Sequence, residues 1–466
     1  MKKTYKSILI ASCTALMLSS CGFFEVENSV DPNAVSLDAV SNNPTDKQIN
    51  QLAIGLQSTV RSGLVDFYRN TGTVGREIVY SASTDNRYFN ELLGTESTNF
   101  NGANDPNGIF NTYYSAFSQT RRRAEVVIKS AETATVLSEA QKSGIRGFAK
   151  TLQGLVTLNM LNMQGKNGIR ETFSDLSSPG DQLKPGKFGT YESGLVVVKK
   201  MLDDGAAELD KAGTAFAFPL TGGYTGFTTP ATMKRFNRGI AARVAMYQKD
   251  FPGMIATLNQ SFLDLNGSLT TGPNFTFSTT AGDAVNGFFQ APDDAGAPYV
   301  AFNQHITSAE AGDTRVFGPT AKVRQRTTPR QSGPAITSTH EVRMYTTNTV
   351  PVSILRNEEL ILMWAEAQIQ AGTLATGIAA LDRIRTAHGL RTLAQAKPTI
   401  LTNKDALIDE VLNQRRYSLF FEGHRWFDAK RYAKISILPL QTGTFKVFEN
   451  FNRPDAEVQW DARNPN

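Results

Sequence analysis

Beyond residue 45 the apolar positions recur mainly with helical spacing. Ile49, Leu52, Ala53 and Leu56 mark one helix, and Phe110, Tyr114, Phe117, Ala124, Val127 and Ile128 a longer one. Ile145, Phe148, Leu152, Leu155, Val156 and Met160 mark a third; Leu195, Val198, Met201, Leu202 and Leu209 mark a fourth. Met233, Phe236, Ile240, Ala241, Val244 and Tyr247 predict a helix over residues 232–247, with residues 251–263 as its partner. In the C-terminal third, Ile354, Leu355, Leu362, Ala365 and Ile369 predict an amphipathic helix ending at Gly372. Ile378, Leu381 and Ile384 predict another, stopping at Gly389. Leu407, Ile408, Val411, Leu412 and Leu419 predict one more, with Thr402 and Asp405 placed as a capping pair. Helices in series joined by short turns imply antiparallel hairpins, so the fold class is mostly α with little β. No 34-residue repeat is readable.

Two stretches break the helical period. Residues 66–107 are rich in Tyr, Arg, Asn, Thr and Gly, and residues 266–351 hold seven of the 19 prolines. Irregular stretches of this length are usually functional loops or small sheets, so they are expected to carry a binding surface. Residues 46–466 then form one helical domain with loop-rich insertions at those two places.

The start of the chain is different. Lys2, Lys3 and Lys6 precede a short apolar run, which reads as a secretory signal too short to remain as a spanning helix. It ends Leu18-Ser19-Ser20-Cys21-Gly22, which resembles a bacterial lipoprotein box, with Cys21 the lipidated residue and residues 1–20 removed. A conventional signal cut near the same small residues is the alternative. Residues 21–45 are polar, contain Pro32 and Pro44, and suit a flexible tether.

Charge and cysteine content then narrow the chemistry. The formal charge of +5 falls when three lysines and no acid leave with the signal, so 45 basic residues face 43 acidic ones. No basic run with interleaved aromatics remains, so nucleic acid is not an expected partner. Both cysteines, Cys13 and Cys21, lie in the export segment, which leaves no disulfide, Cys-based zinc site or cysteine nucleophile in the body. His305, His340, His388 and His424 show no metal-ligand spacing, and no Walker loop, dinucleotide fingerprint or nucleophile elbow occurs. Asp283, Asp293 and Asp294 read as turn formers before they read as a glycosidase pair. No catalytic residue, metal or cofactor is therefore expected.

The C-terminal signature is the most informative stretch. Arg415-Arg416, then Glu422-Gly423-His424-Arg425-Trp426-Phe427-Asp428 and Arg431, resembles the motif of the SusD/RagB family of outer-membrane lipoproteins. Arg356, Glu359, Leu362 and Ala365-Glu366-Ala367 resemble a second family block, and Ile384-Arg385 with Gly389-Leu390 a third, in the family's order. The residues themselves read as structural. Glu359 and Glu366 share a helix face near Arg356, and the signature alternates opposite charges between large rings, a pattern that locks helix ends.

The resemblance implies tetratricopeptide-like helix pairs supporting a less regular ligand-binding part. It further implies a surface-facing, lipid-anchored outer-membrane protein that works with a SusC-like TonB-dependent transporter to capture glycans or, in some members, peptides. Sugar sites combine ring faces with hydrogen-bonding side chains. Tyr68, Arg69, Arg76, Tyr80, Asn86, Arg87 and Tyr88 offer that mixture in one segment, and Tyr299 adds a ring from the second. Arg315, Lys322, Arg324, Arg326 and Arg330 form a basic stretch that suits either an anionic ligand or a solvated loop. The alternative function is a helical-repeat surface scaffold that binds proteins or peptides rather than glycans.

Overall fold

A computed structural model describes residues 42–81, 87–94, 111–172, 185–296, 299–332, 336–440 and 446–464. The signal, Cys21, most of the tether and Asn86 lie outside the described residues. The apolar runs of the N-terminal half become helices. In chain order these are α1 (Asp46–Thr59), α2 (Leu64–Val74), α3 (Arg87–Leu93), α4 (Asn111–Thr133), α5 (Glu139–Gln164), α6 (Tyr191–Lys211), α7 (Pro230–Gln248) and α8 (Phe251–Asn259). Thr45, Ser138, Thr190 and Thr229 start α1, α5, α6 and α7 with reciprocal capping boxes that satisfy otherwise orphaned amides.

The helices pack as consecutive hairpins. Glycine sets the closest approach: a Cβ on Gly147 would lie 2.6 Å from Leu209 Cγ, and one on Gly154 2.7 Å from Leu202 Cδ2. Any side chain at these two positions of α5 would push α6 away.

The second irregular stretch contains most of the strands. After β1 (Ile78–Tyr80) come β2 (Asn274–Phe275), β3 (Tyr299–Ala301), the short helix α9 (Asn303–Thr307), β4 (Val323–Ser332), β5 (Ile336–Val342) and β6 (Val352–Ser353). One antiparallel sheet has the order β1-β3-β5-β4, and β2 pairs with β6. The β4–β5 register shifts between Gln325 and Arg330, where Pro329 lacks an amide to donate. Strand alternation sends Val79 and Val300 into a small cluster with Leu93, Phe302 and Ile336. Tyr80 and Tyr299 therefore stand opposite each other across the β1–β3 pair.

The C-terminal third continues with α10 (Asn357–Gln370), α11 (Leu374–Ala387), α12 (Leu393–Ala396), α13 (Lys404–Ser418), α14 (Arg425–Arg431) and α15 (Asp455–Arg463). Ile361, Ala365, Leu381, Ile384, Leu407 and Val411 build a separate core between α10, α11 and α13. The cap of α13 is Asn403, whose side chain accepts from the Ala406 amide, rather than the expected Thr402. Among the described residues no helix is long and apolar enough to cross a membrane.

Two helices contradict the sequence reading, since residues 66–107 hold all of α3 and most of α2. Residues 66–74 were expected in an irregular stretch and instead belong to α2. Tyr68, Arg69, Asn70, Thr71, Gly72, Thr73 and Val74 are all buried, so no polar face marks the helix. Thr71 and Thr73 donate to the carbonyls of Phe67 and Arg69 at 2.6 and 2.7 Å, which lets hydroxyls sit in the interior.

Candidate ligand-binding face and the buried base

Rings link the surface to the core. Tyr88 meets Tyr80 edge-on at 5.0 Å between centroids, and Tyr80 meets Tyr299 at 5.1 Å. Tyr299 continues to Phe421 at 5.2 Å and Phe288 at 6.3 Å, and Phe288 stacks on Tyr68 at 5.5 Å. Exposure falls along this ladder. Tyr80 and Tyr88 are half-buried, whereas Tyr299 and Tyr68 are only 4% and 6% exposed. The sequence-predicted tyrosines are thus brought together, but only Tyr80 and Tyr88 reach the surface.

Arg69 completes the face. Its guanidinium lies over Tyr88 at 4.2 Å and over Tyr80 at 5.0 Å, a cation–π arrangement strengthened by burial. Asp66, one turn earlier on α2, pairs with Arg69, and burial raises the Asp66 carboxyl even against that guanidinium. Arg330 donates to the Ser81 hydroxyl and carbonyl, both at 3.1 Å, fixing the chain just past Tyr80. Asp66 and Arg330 were missed as supporting residues. The three-residue spacing of Asp66 and Arg69 was the one signal in the sequence.

Arg76 is not on this face. It is fully buried, with a positive φ of 57°, and its guanidinium donates to the carbonyls of Thr73, Leu92, Leu93 and Lys446 at 2.8 to 3.3 Å. Burial lowers it to about 9. It is a brace between α2, α3 and the segment after residue 445, because its guanidinium donates to carbonyls of all three. Arg87 opens α3, and Asn86 lies outside the described residues.

The expected basic stretch is neutralised internally. Arg315 makes a two-point pair with Asp313 at 2.8 and 2.9 Å, and it also reaches Gln414 and Ser418. Arg324 and Arg326 share Glu341, the cross-strand partner of Arg324 in the register. Glu341, Gln414 and Ser418 lie far enough away in sequence to be invisible there, whereas Asp313 is two residues from Arg315. The solvated-loop and anion-rim readings are both replaced by buried pairing. Asp283 pairs with Arg61, and Asp293 accepts from the Thr327 amide. Among the described residues no group of three His, Cys, Asp or Glu side chains is arranged to hold a metal.

The signature residues form a second charged centre, almost wholly inside the protein. Arg356 donates to Glu358 at 2.9 Å and also to Glu422 and the Ser418 carbonyl. Arg415 and Arg431 flank Asp428 at 2.6 and 2.8 Å, and Arg431 also holds Glu366. Arg243 of α7 grips Glu359 at 2.5 Å. Burial would raise Glu359, but Arg243 holds it down to about 2, while His424, 3.7 Å away, is lowered to about 4 by burial. His388 contacts Glu358 at 2.7 Å.

Residues 320–466, which contain this whole signature, match the sequence model of the SusD family. That likeness in sequence spans the C-terminal third of the chain. Its fold extends the likeness over the rest of the chain. A SusD superfamily protein from Bacteroides vulgatus ATCC 8482 superposes with a TM-score of 0.64 at 13% identity, covering 89% of this chain and 97% of the other. Surface glycan-binding protein A from Bacteroides uniformis gives 0.65 at 14%, covering 90% and 98%. A laminarin-binding SusD-like protein gives 0.61 at 16%, covering 90% and 98%. At these identities the likeness to the solved structures is one of fold. No curated protein matches the chain in sequence.

In this protein the residues of the SusD-like signature therefore serve the scaffold. Glu422 and His424 are 7% and 8% exposed and engaged with Arg356 and Glu359, so they hold α10, α13 and α14 together rather than meeting a ligand. The residues with surface to offer are Tyr80 and Tyr88 over Arg69.

Proposed function

We propose that this SusD-like protein is a non-enzymatic, surface-exposed glycan-binding lipoprotein, anchored through Cys21, that captures oligosaccharides for a SusC-like TonB-dependent transporter. The observation that carries the reading is the half-exposed pair Tyr80 and Tyr88, held at 5.0 Å by a buried arginine. Ring faces fixed by a sheet on one side and a cation beneath can stack on sugar rings with little loss of side-chain freedom. The glycan-binding names of two structures with the same fold support the ligand class.

Affinity electrophoresis of the purified protein in gels containing laminarin, starch or xylan tests the capture step. Retardation by one polysaccharide is expected, with Tyr80→Ala and Tyr88→Ala each weakening it about tenfold, equivalent to roughly 1.4 kcal/mol. No retardation by any glycan, or variants that bind as the parent does, would remove the reading. Copurification from detergent-solubilised outer membranes tests the transporter partnership separately.

A further inference from the structure

A well-formed cavity lies away from the tyrosine face. It has a volume of about 830 Å³ and opens where the C-terminal end of α5, the start of α6, the end of α7 and α14 converge. That volume lies within the usual range for small-molecule sites. Buried rings of Phe67, Tyr68 and Phe288 stand between it and Tyr80, so the two places are distinct.

The cavity combines ring surface with an oriented cation. Half-buried Tyr191 supplies the open aromatic surface, with the buried Tyr247 and Phe427, 8% and 4% exposed, behind it. The Tyr191 hydroxyl is fixed by donating to Asn162 Oδ1 at 2.7 Å. Lys430 Nζ donates to the carbonyls of Asn162 and Glu449 at 2.8 and 2.9 Å and lies 3.9 Å from the centre of the Trp426 ring. Burial lowers Lys430 to about 7, so it is an ammonium chiefly below neutral pH. In that form two carbonyls take two of its three donors, and the third N–H of the half-buried group lies between the Trp426 and Phe427 rings and the cavity. The neighbouring Arg431 is already neutralised by Glu366 and Asp428. Lys166 and Lys249 line the opening as exposed cations, facing exposed Glu192 and Glu449.

We propose that this cavity is a second ligand site, taking a short oligosaccharide that bears a carboxylate, with the acid on Lys430 and a sugar ring against Tyr191. A fixed ammonium with one donor to spare suits a carboxylate, because a charge-assisted hydrogen bond is about twice as strong as a neutral one. Ring surface beside hydroxyl and amide groups suits a sugar more than an unmodified acidic peptide. The site is independent of the tyrosine face, and its failure would leave the proposed capture function standing.

Calorimetric titration of the full chain with trigalacturonate, maltotriose and triglutamate tests it. Trigalacturonate is expected to bind and maltotriose to bind at least tenfold more weakly. Lys430→Gln should weaken trigalacturonate about tenfold, consistent with loss of one charge-assisted contact. Because Lys430 also bridges two segments, Val196→Trp provides a second variant. Val196 is 61% exposed at the cavity opening, so a bulky ring there should block the site without disturbing the core. No trigalacturonate binding, equal binding of maltotriose, tighter binding of triglutamate, or full binding by Val196→Trp would each overturn the proposal.

Discussion

The buried base and the tyrosine face use the same ingredients, arginine beside aromatic rings, to opposite ends. At the base, Arg356, Arg415 and Arg431 are 6–10% exposed or less in their side chains, and each is matched to carboxylates. At the face, Arg69 is also buried, but the rings it supports are half-exposed. The difference lies in what remains unsatisfied. Charges in the interior need an opposite charge close by, and each of these has one, although Arg415 keeps two guanidinium nitrogens without a hydrogen bond. A cation under exposed rings satisfies itself and leaves the ring faces open.

Three measurements would break or sharpen that contrast. The largest effect is expected for Arg356→Ala, which strands Glu358 and Glu422 without their shared cation. Removing one partner of a buried pair costs about 3–5 kcal/mol, so urea unfolding should show a marked drop in stability. If stability barely changed while glycan retention vanished, the base would belong to the ligand site after all.

Acid titration comes next. Burial lowers His424 to about 4 from an ordinary value of 6.5. Between those values the unfolded chain takes up a proton that the folded chain does not, so this contribution to stability is present above pH 6.5 and lost as pH falls toward 4. Its size is on the order of 3 kcal/mol at most. Glu77, raised to about 8 by burial, acts in the opposite direction, so the comparison must be between the parent and His424→Asn. The variant should lose less stability from pH 6.5 to 4; parallel curves would show that His424 is not held neutral.

The smallest effect is expected for Arg69→Lys. Charge is kept, but the planar group that covers Tyr80 and Tyr88 is lost, which should cost about 1 kcal/mol of stability and weaken glycan retention several-fold. Unchanged retention would mean that the rings need no support.

Sequence periodicity identified helices such as α1 and α6 because each has one face in the core and one in water. It failed for α2, where Thr71, Thr73 and Asn70 are as buried as Phe67. It also missed the roles of Arg324 and Arg326, since Glu341 meets them only through strand register. The signature block was readable as an ionic lock because its charges alternate within a few residues. The candidate ligand residues were readable as a composition but not as a depth. Nothing local separates buried Tyr299 from half-buried Tyr80, although they stand opposite each other across two strands. The Lys430 cavity left no mark in the chain, because its walls come from segments far apart.

The burial of α2 also bears on how the chain reaches its final shape. Glu77, just past α2, accepts from the Phe421 amide 344 residues later, and Arg425 donates to the Arg76 carbonyl across 349 residues. A polar helix of this kind has no stable resting place until those late residues arrive. Such long-range closure slows folding and couples the two ends of the chain. A ribosome therefore releases nearly the whole polypeptide before its centre can set, and a protein halved anywhere between α2 and α14 should yield two pieces that each lack a finished middle.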